Sequence, residues 1–260
     1  MWLVGLALYT AVGLAEEKPL DVETARGLVQ ARLKQLGVAP AALQHLERAE
    51  VRSALPNWQV FLLRFPQFPV ARVPPPPLGS NNLFFVSPQG AVQLVSEPQQ
   101  LRALFQQHVR ADSEKSASVA VRAWLMLASE LRQDGFYQFR LVNESLRASK
   151  TPAGWLASGK LEVVPKAGNE GFFAAELLFS PQGQLLKLRE DVQLKPGVRP
   201  ICQATKLLDP DPIVRRMAER DLLILGRQAK PYLDDQWRRA DPALRQAIER
   251  LWQRIEREER

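Results

Sequence analysis

Ser87-Pro88-Gln89-Gly90 recurs as Ser180-Pro181-Gln182-Gly183, 93 positions further on (180 − 87). Each copy separates two apolar runs. The first lies between Leu83-Phe84-Phe85-Val86 and Ala91-Val92-Gln93-Leu94-Val95. The second lies between Leu177-Leu178-Phe179 and Leu185-Leu186-Lys187-Leu188. Proline presets φ near −65° at the second position of a turn, and glycine accepts φ > 0 at its end. Strand, Pro-x-Gly turn and strand therefore predict a hairpin with a short loop, present twice.

Working outward, each hairpin is preceded by a predicted helix. Asp21 is a candidate N-cap, followed by Val22, Ala25, Val29, Leu33 and Leu36 at helical spacing, with Gly37 as the stop. Ser113 is the second N-cap, followed by Ala117, Val121, Trp124, Leu125, Ala128 and Leu131, with Gly135 beyond. Val29 aligns with Val121 and Leu33 with Leu125, an offset of 92 (121 − 29), close to that of the turns. In the first copy, Leu46 to Leu55 is expected as a charged outer strand. Trp58 to Phe65 is a further strand after a Pro56-Asn57 turn. Pro66, Pro69 and Pro74 to Pro77 form an irregular loop, with Pro74 to Pro77 expected in polyproline II. Pro98 to Val109 adds a short helix. In the second copy Phe136 to Val142 and Trp155 to Val164 are strands, with Gly159 a candidate bulge.

The expected fold class is thus α+β, with two tandem units at 21–110 and 113–195. Each lays one helix on an antiparallel sheet. The helix from Glu23 to Leu36, the strand Trp58 to Phe65 and the hairpin Phe85 to Val92 together resemble PepSY-like and cystatin-like domains of secreted proteins. The Ser-Pro-Gln turn departs from the acidic residue and Thr usual in PepSY turns. The resemblance implies protein binding or protease inhibition and carries no catalytic residues.

After Pro196-Gly197 the composition turns to Arg, Glu, Ala and Leu. Asp211-Pro212-Ile213-Val214-Arg215 precedes Glu219-Arg220, and Asp241-Pro242-Ala243-Leu244-Arg245 precedes Glu249-Arg250. Asp caps each helix and Pro takes its first position. Arg and Glu four apart share a helix face. With a shorter helix over Ala229 to Trp237 between them, residues 199–260 resemble HEAT-type helical repeats. Glu256 to Arg260 is expected as a frayed tail.

Composition narrows the function. The 260-residue chain is 46% hydrophobic and 24% charged, which fits a folded protein of one to three domains. The net charge of +7 permits an acidic partner. Its basic residues are interspersed with Asp and Glu, so no nucleic-acid partner is expected. Cys202 is the only cysteine, which rules out an intrachain disulfide and reads as a small buried hydrophobe. His45 and His108 have no second ligand at metal spacing, and no nucleotide, zinc-protease, serine-hydrolase or Cys-x-x-Cys motif occurs. No metal, cofactor or catalytic residue is therefore expected. The paired acids Glu16-Glu17, Glu190-Asp191 and Asp234-Asp235 are sequence neighbours, which does not establish carboxylates facing across a cleft.

Met1 to Ala15 is apolar and uncharged, with small residues at Gly13 and Ala15. It reads as a signal peptide cleaved after Ala15, or alternatively as an uncleaved anchor; it is short for a membrane span, and no later stretch is long enough. The expectation is an exported, periplasmic or secreted, non-enzymatic scaffold that binds another envelope or secreted protein. Arg215, Arg216 and Arg245 are its candidate contacts. A protease inhibitor or chaperone-like binder, and a carboxylate-dependent hydrolase, are the alternatives.

Overall fold

The computed structural model describes residues 20–39, 42–65, 73–133, 138–164, 170–195 and 204–258. The expected cleavage site near Ala15, Pro66, Pro69, Gly135, the Pro196-Gly197 boundary and Cys202 lie outside these residues. The chain is α+β, with two antiparallel sheets and a separate group of C-terminal helices.

Helix α1 (Val22–Gln35) opens the described chain. Asp21 caps it by accepting from the Thr24 N–H at 2.9 Å, and Gly37 closes it at φ +72°. Ala25, Val29 and Leu33 are fully buried, one turn apart, as a helix stripe requires. They pack on Phe61, Leu63, Phe84 and Val86 of the first sheet. That sheet runs in the order β1 (Gln44–His45), β2 (Gln59–Arg64), β3 (Asn81–Val86) and β4 (Val92–Val95).

Both Ser-Pro-Gln-Gly turns are built the same way. Ser87 N–H donates to the Ala91 carbonyl at 2.9 Å, and Ser180 N–H to the Gln184 carbonyl at 2.8 Å. The serine hydroxyls accept from the Ala91 and Gln184 N–H groups. Gly90 and Gly183 sit at φ +84° and +80°, which only glycine adopts without strain. Gly90 abuts Leu20, just ahead of α1, and Leu28 within it, and Gly183 abuts Ala111, just ahead of the next helix. Each turn therefore packs on the segment that leads into its helix.

That next helix, α4 (Glu114–Leu131), follows α3 (Pro98–His108) and is capped by Ser113. The second sheet has the order β5 (Gln138–Leu141), β7 (Gly154–Val164), β8 (Glu170–Phe179) and β9 (Leu185–Lys195). A further strand, β6 (Arg147–Thr151), shares the β5 side of β7. Helix α4 lies between the sheets and is buried on nearly every side, from Ala117 to Ala128. One side meets Ala157, Phe173, Leu177 and Phe179 of the second sheet. Another meets Leu83 and Phe85, on the face of the first sheet away from α1. The apolar core thus runs without a break from one sheet to the other. Phe105 of α3 meets Trp124 edge-on, centroids 5.0 Å apart, an arrangement that adds about 1 kcal/mol to the burial itself.

Polar ties fix α4 to both sheets. The Asn81 amide donates to the Leu131 carbonyl at 3.2 Å, and Arg64 pairs with Glu130. On the other side Glu190 of β9 accepts from Trp124 Nε1 and from Arg132, each at 2.9 Å.

Three sequence expectations are corrected. Leu46 to Leu55 is not an outer strand: only Gln44–His45 pairs with β2, and α2 (Ala49–Ala54) follows. Val51, Ala54 and Leu55 then fall one turn apart against the core. Gly159 is not a bulge, because the register with β8 is continuous there. A Cβ at this position would come within 2.8 Å of Leu146 and 3.0 Å of Leu125, so the glycine admits a close approach. Pro74 to Pro77 is not an uninterrupted polyproline II segment. Pro76 and Pro77 form a turn with a cis peptide, and the Leu78 N–H returns to the Pro75 carbonyl at 3.0 Å.

The C-terminal helices α5 (Pro212–Leu225), α6 (Lys230–Arg239) and α7 (Pro242–Glu258) have their own core of Leu222, Leu225, Leu233, Ile248, Leu251 and Ile255. The helix runs through Glu258, so residues 256–258 are not frayed. Trp252 Nε1 donates to Glu256 at 2.8 Å and Arg254 pairs with Glu258 at 2.7 Å.

Candidate functional site

The start of α5 is set by a compact polar loop. Lys206 donates to the Asp209 carboxylate at 3.0 Å, and the Asp211 N–H donates to its other oxygen at 3.0 Å. The lysine bond, ahead of the backbone one, holds the Asp209 carboxyl below the usual carboxylate range. Arg215 completes the loop by donating to the Asp209 and Pro210 carbonyls at 2.6 and 2.9 Å. Its guanidinium is therefore engaged in fixing the entry to the helix. It does not pair with Glu219, which instead bonds Arg254 at 2.7 Å.

Arg245 is also engaged locally. Its Nε donates to the Trp237 carbonyl at 3.1 Å and its guanidinium lies 4.8 Å from the Trp237 ring centre. Glu249, its expected partner, accepts from Trp237 Nε1 at 2.9 Å. Arg216 is exposed and makes no ion pair among the described residues. Of the three candidate contacts, Arg216 alone presents an uncommitted charge.

Arg216 has apolar company. Ile213 and Met217, one helical turn apart, are 56% and 51% exposed, while Ala218, Leu222 and Leu225 of the same helix are buried. Isolated exposed apolar residues are ordinary on a surface. A Met and an Ile on one helix face, with an exposed Arg at their side, have the composition of an interface centre. The sequence contains the signal, because Ile213 and Met217 fall outside the stripe that continues to Leu222 and Leu225.

Glu16-Glu17 lies outside the described residues; the other polar candidates have these surroundings. Glu190 joins Trp124 to Arg132, Asp234 pairs with Lys230, and Asp235 pairs with Arg239. Each thus faces a cation rather than a second carboxylate. His45 bonds Gln59 at 2.9 Å and Glu47 at 3.2 Å through its two ring nitrogens. His108 packs against Trp58 with ring centres 4.7 Å apart. Burial first, and then the Arg110 charge, lower its pKa below the ordinary imidazole value. Among the described residues no three His, Cys, Asp or Glu side chains are grouped to hold a metal ion, and no helix is long and apolar enough to cross a membrane.

A groove of about 610 Å³ runs between α2, the C-terminal half of α4 and β5. Leu46, Val51, Leu127 and Phe139 line its floor, and Arg48, Arg64, Arg140 and Glu130 its rim. No sequence expectation included it, because its residues come from segments far apart in the chain.

Comparison with family models, with curated proteins and with solved structures finds no match to this chain.

Proposed function

We propose that this chain is a non-enzymatic protein-binding scaffold whose partner contact is the outward face of α5. The observation that carries the proposal is the exposed pair Ile213 and Met217 with Arg216 beside Ile213, on a helix whose opposite face is buried. The partner surface that fits is apolar at its centre and acidic at its edge, in keeping with the net charge of +7. In this reading Arg215 and Arg245 are positioning residues: one fixes the start of α5, the other joins α6 to α7.

The wider reading extends the same proposal. The repeated turn and helix are two copies of a PepSY-like or cystatin-like unit. The Asp-Pro helices are a short HEAT-like module, and Met1 to Ala15 directs export, so the partner belongs to the envelope or the secreted fraction. These points are supported by the equal hydrogen bonding of the two turns, by the Asp-Pro starts of α5 and α7, and by the apolar N-terminal stretch.

A photo-crosslinking amino acid at position 213 or 217 of the full chain tests the contact in the native envelope fraction. Position 193, exposed on the second sheet, serves as control. One protein adduct common to 213 and 217, absent from 193 and lost with Arg216→Glu, is the expected result. Adducts equal at all three positions overturn it. N-terminal sequencing of the natural protein is expected to begin at Glu16; a cytoplasmic chain that retains Met1 would remove export from the reading.

A further inference from the structure

The strands at the margins of the two sheets differ in character. β1 is two residues long, and β5, β6 and β9 each carry exposed charge, with Arg140, Arg147 and Lys187 among them. Short length and charge both discourage a further strand from pairing. β4 has neither defence. Val92-Gln93-Leu94-Val95 is uncharged and ends the first sheet opposite β1, pairing with β3 on one side and, among the described residues, with no strand on the other.

The turn settles which backbone groups of β4 are open. Opposed residues of an antiparallel pair alternate between hydrogen-bonded and non-hydrogen-bonded. Ser87 and Ala91 are opposed and bonded, since the Ser87 N–H reaches the Ala91 carbonyl at 2.9 Å. Along the register, Phe85 with Gln93 and Leu83 with Val95 are then bonded pairs, whereas Val86 with Val92 and Phe84 with Leu94 are not. The N–H and C=O groups of Val92 and Leu94 therefore point away from β3, and they have no partner among the described residues. The Gln93 side chain is half-buried and likewise makes no hydrogen bond among the described residues.

This edge is complementary to itself. Two copies of β4 related by a twofold axis through Gln93 run antiparallel, with Val92 of each opposite Leu94 of the other. In that register open residues meet open residues, and every outward N–H and C=O group of Val92 and Leu94 is paired. A shift of one residue sets them against groups already bonded to β3, and a shift of two leaves half of them unpaired. Val92 and Leu94 pack on the α1 side of the core and are half-buried, so each cross-strand pair also covers apolar surface. On the other face Gln93 meets Gln93, and two amides can each donate and accept.

We infer that β4 is a self-association edge, which binds β4 of a second copy of this chain and joins two four-stranded sheets into one continuous sheet. The contact is independent of the α5 face and stands or falls separately.

Sedimentation equilibrium of the full chain, from micromolar to millimolar protein, tests it. A reversible monomer–dimer equilibrium is expected. Gln93→Lys sets two ammonium groups against each other across the axis, and Gln93→Glu two carboxylates; each should weaken the dimer at least about tenfold. An equimolar mixture of the two variants should dimerise at least as tightly as the unaltered chain, because Lys then faces Glu. Unchanged circular dichroism shows that both variants are folded. Val92→Pro supplies a second arm: it deletes an outward N–H and no bond to β3, so the chain should stay folded and monomeric. A chain monomeric throughout, a dimer unmoved by either charge, or a mixture of folded variants no tighter than its components would each overturn the inference.

Discussion

Glu190→Leu should be among the most damaging single substitutions in the molecule, and its cost can be worked out from two contacts. The carboxylate accepts from Trp124 Nε1 and from Arg132, each at 2.9 Å, and the Glu190 and Arg132 side chains are only 15% and 16% exposed. Breaking a buried pair by removing one partner costs about 3–5 kcal/mol, because the surviving charge is left uncompensated. The residual exposure of Arg132 places this case near the lower end, about 3 kcal/mol. The stranded Trp124 N–H adds about 1 kcal/mol, giving about 4 kcal/mol in all. Glu190→Gln keeps the indole bond and turns a charge-assisted contact into a neutral one, for about 1–2 kcal/mol. In the double variant Arg132→Met/Glu190→Leu the orphan charge is gone. What remains lost is the stacking of Arg132 on Phe173, 4.6 Å from its ring centre, and its bond to the Ala128 carbonyl. The double variant should therefore be about 2 kcal/mol less stable than the natural chain, and more stable than Glu190→Leu alone. Urea unfolding at constant m-value reads these four proteins together with Arg132→Met, the other single variant of the cycle. A loss under 1 kcal/mol for Glu190→Leu, or a double variant equal to the sum of its singles, would refute the idea that the cost lies in a stranded charge.

Two further outcomes follow from the turns and from the histidine. Gly90→Ala should cost about 1 kcal/mol for its positive φ, with its new methyl group meeting only the movable side chains of Leu28 and Leu20, at 3.4 and 3.8 Å. Gly183→Ala meets the Ala111 backbone at 3.3 Å and should cost about twice as much; equal losses in urea would show that the Ala111 contact is unimportant. His108 has a folded-state pKa below 6.5. Between that value and 6.5 the unfolded chain binds more protons, so this residue makes stability rise with pH and fall as pH drops through that window. The His108 ring protons should titrate below pH 6.5, and His108→Gln should flatten the acid side of the stability curve. A midpoint above 6.5 contradicts the assignment to burial beside Trp58.

The sequence was readable where sterics act locally. Pro88, Gly90, Pro181 and Gly183 restrict the backbone whatever surrounds them, and Asp21, Ser113 and Asp211 cap helices with their own side chains. It misled where tertiary contacts decide. Arg48, Glu50 and Arg52 alternate as in a strand, yet the six residues of α2 coil because Val51 and Ala54 meet the core. Strand β6 has no apolar alternation to mark it, because Arg147, Ser149 and Lys150 are exposed and polar, although Pro152-Ala153-Gly154 marks its turn. On the helical face, Arg216 was legible as a charge, but the capture of Arg215 and Arg245 by nearby carbonyls was not. The groove is invisible in the sequence, since Arg48, Arg64 and Arg140 meet only after both sheets have closed on α4.

The position of α4 also constrains the order in which the protein can be made. Leu83 and Phe85 leave the ribosome before α4 does, and α4 packs against their strand in the shared core. A nascent chain ending near residue 110 can dock α1 on one side of its sheet, but on the other side α2 and α3 are in place without α4, which completes that core. Final folding of the first half must then wait for residues 114–131, and this interval is when the emerging chain most needs protection from its neighbours.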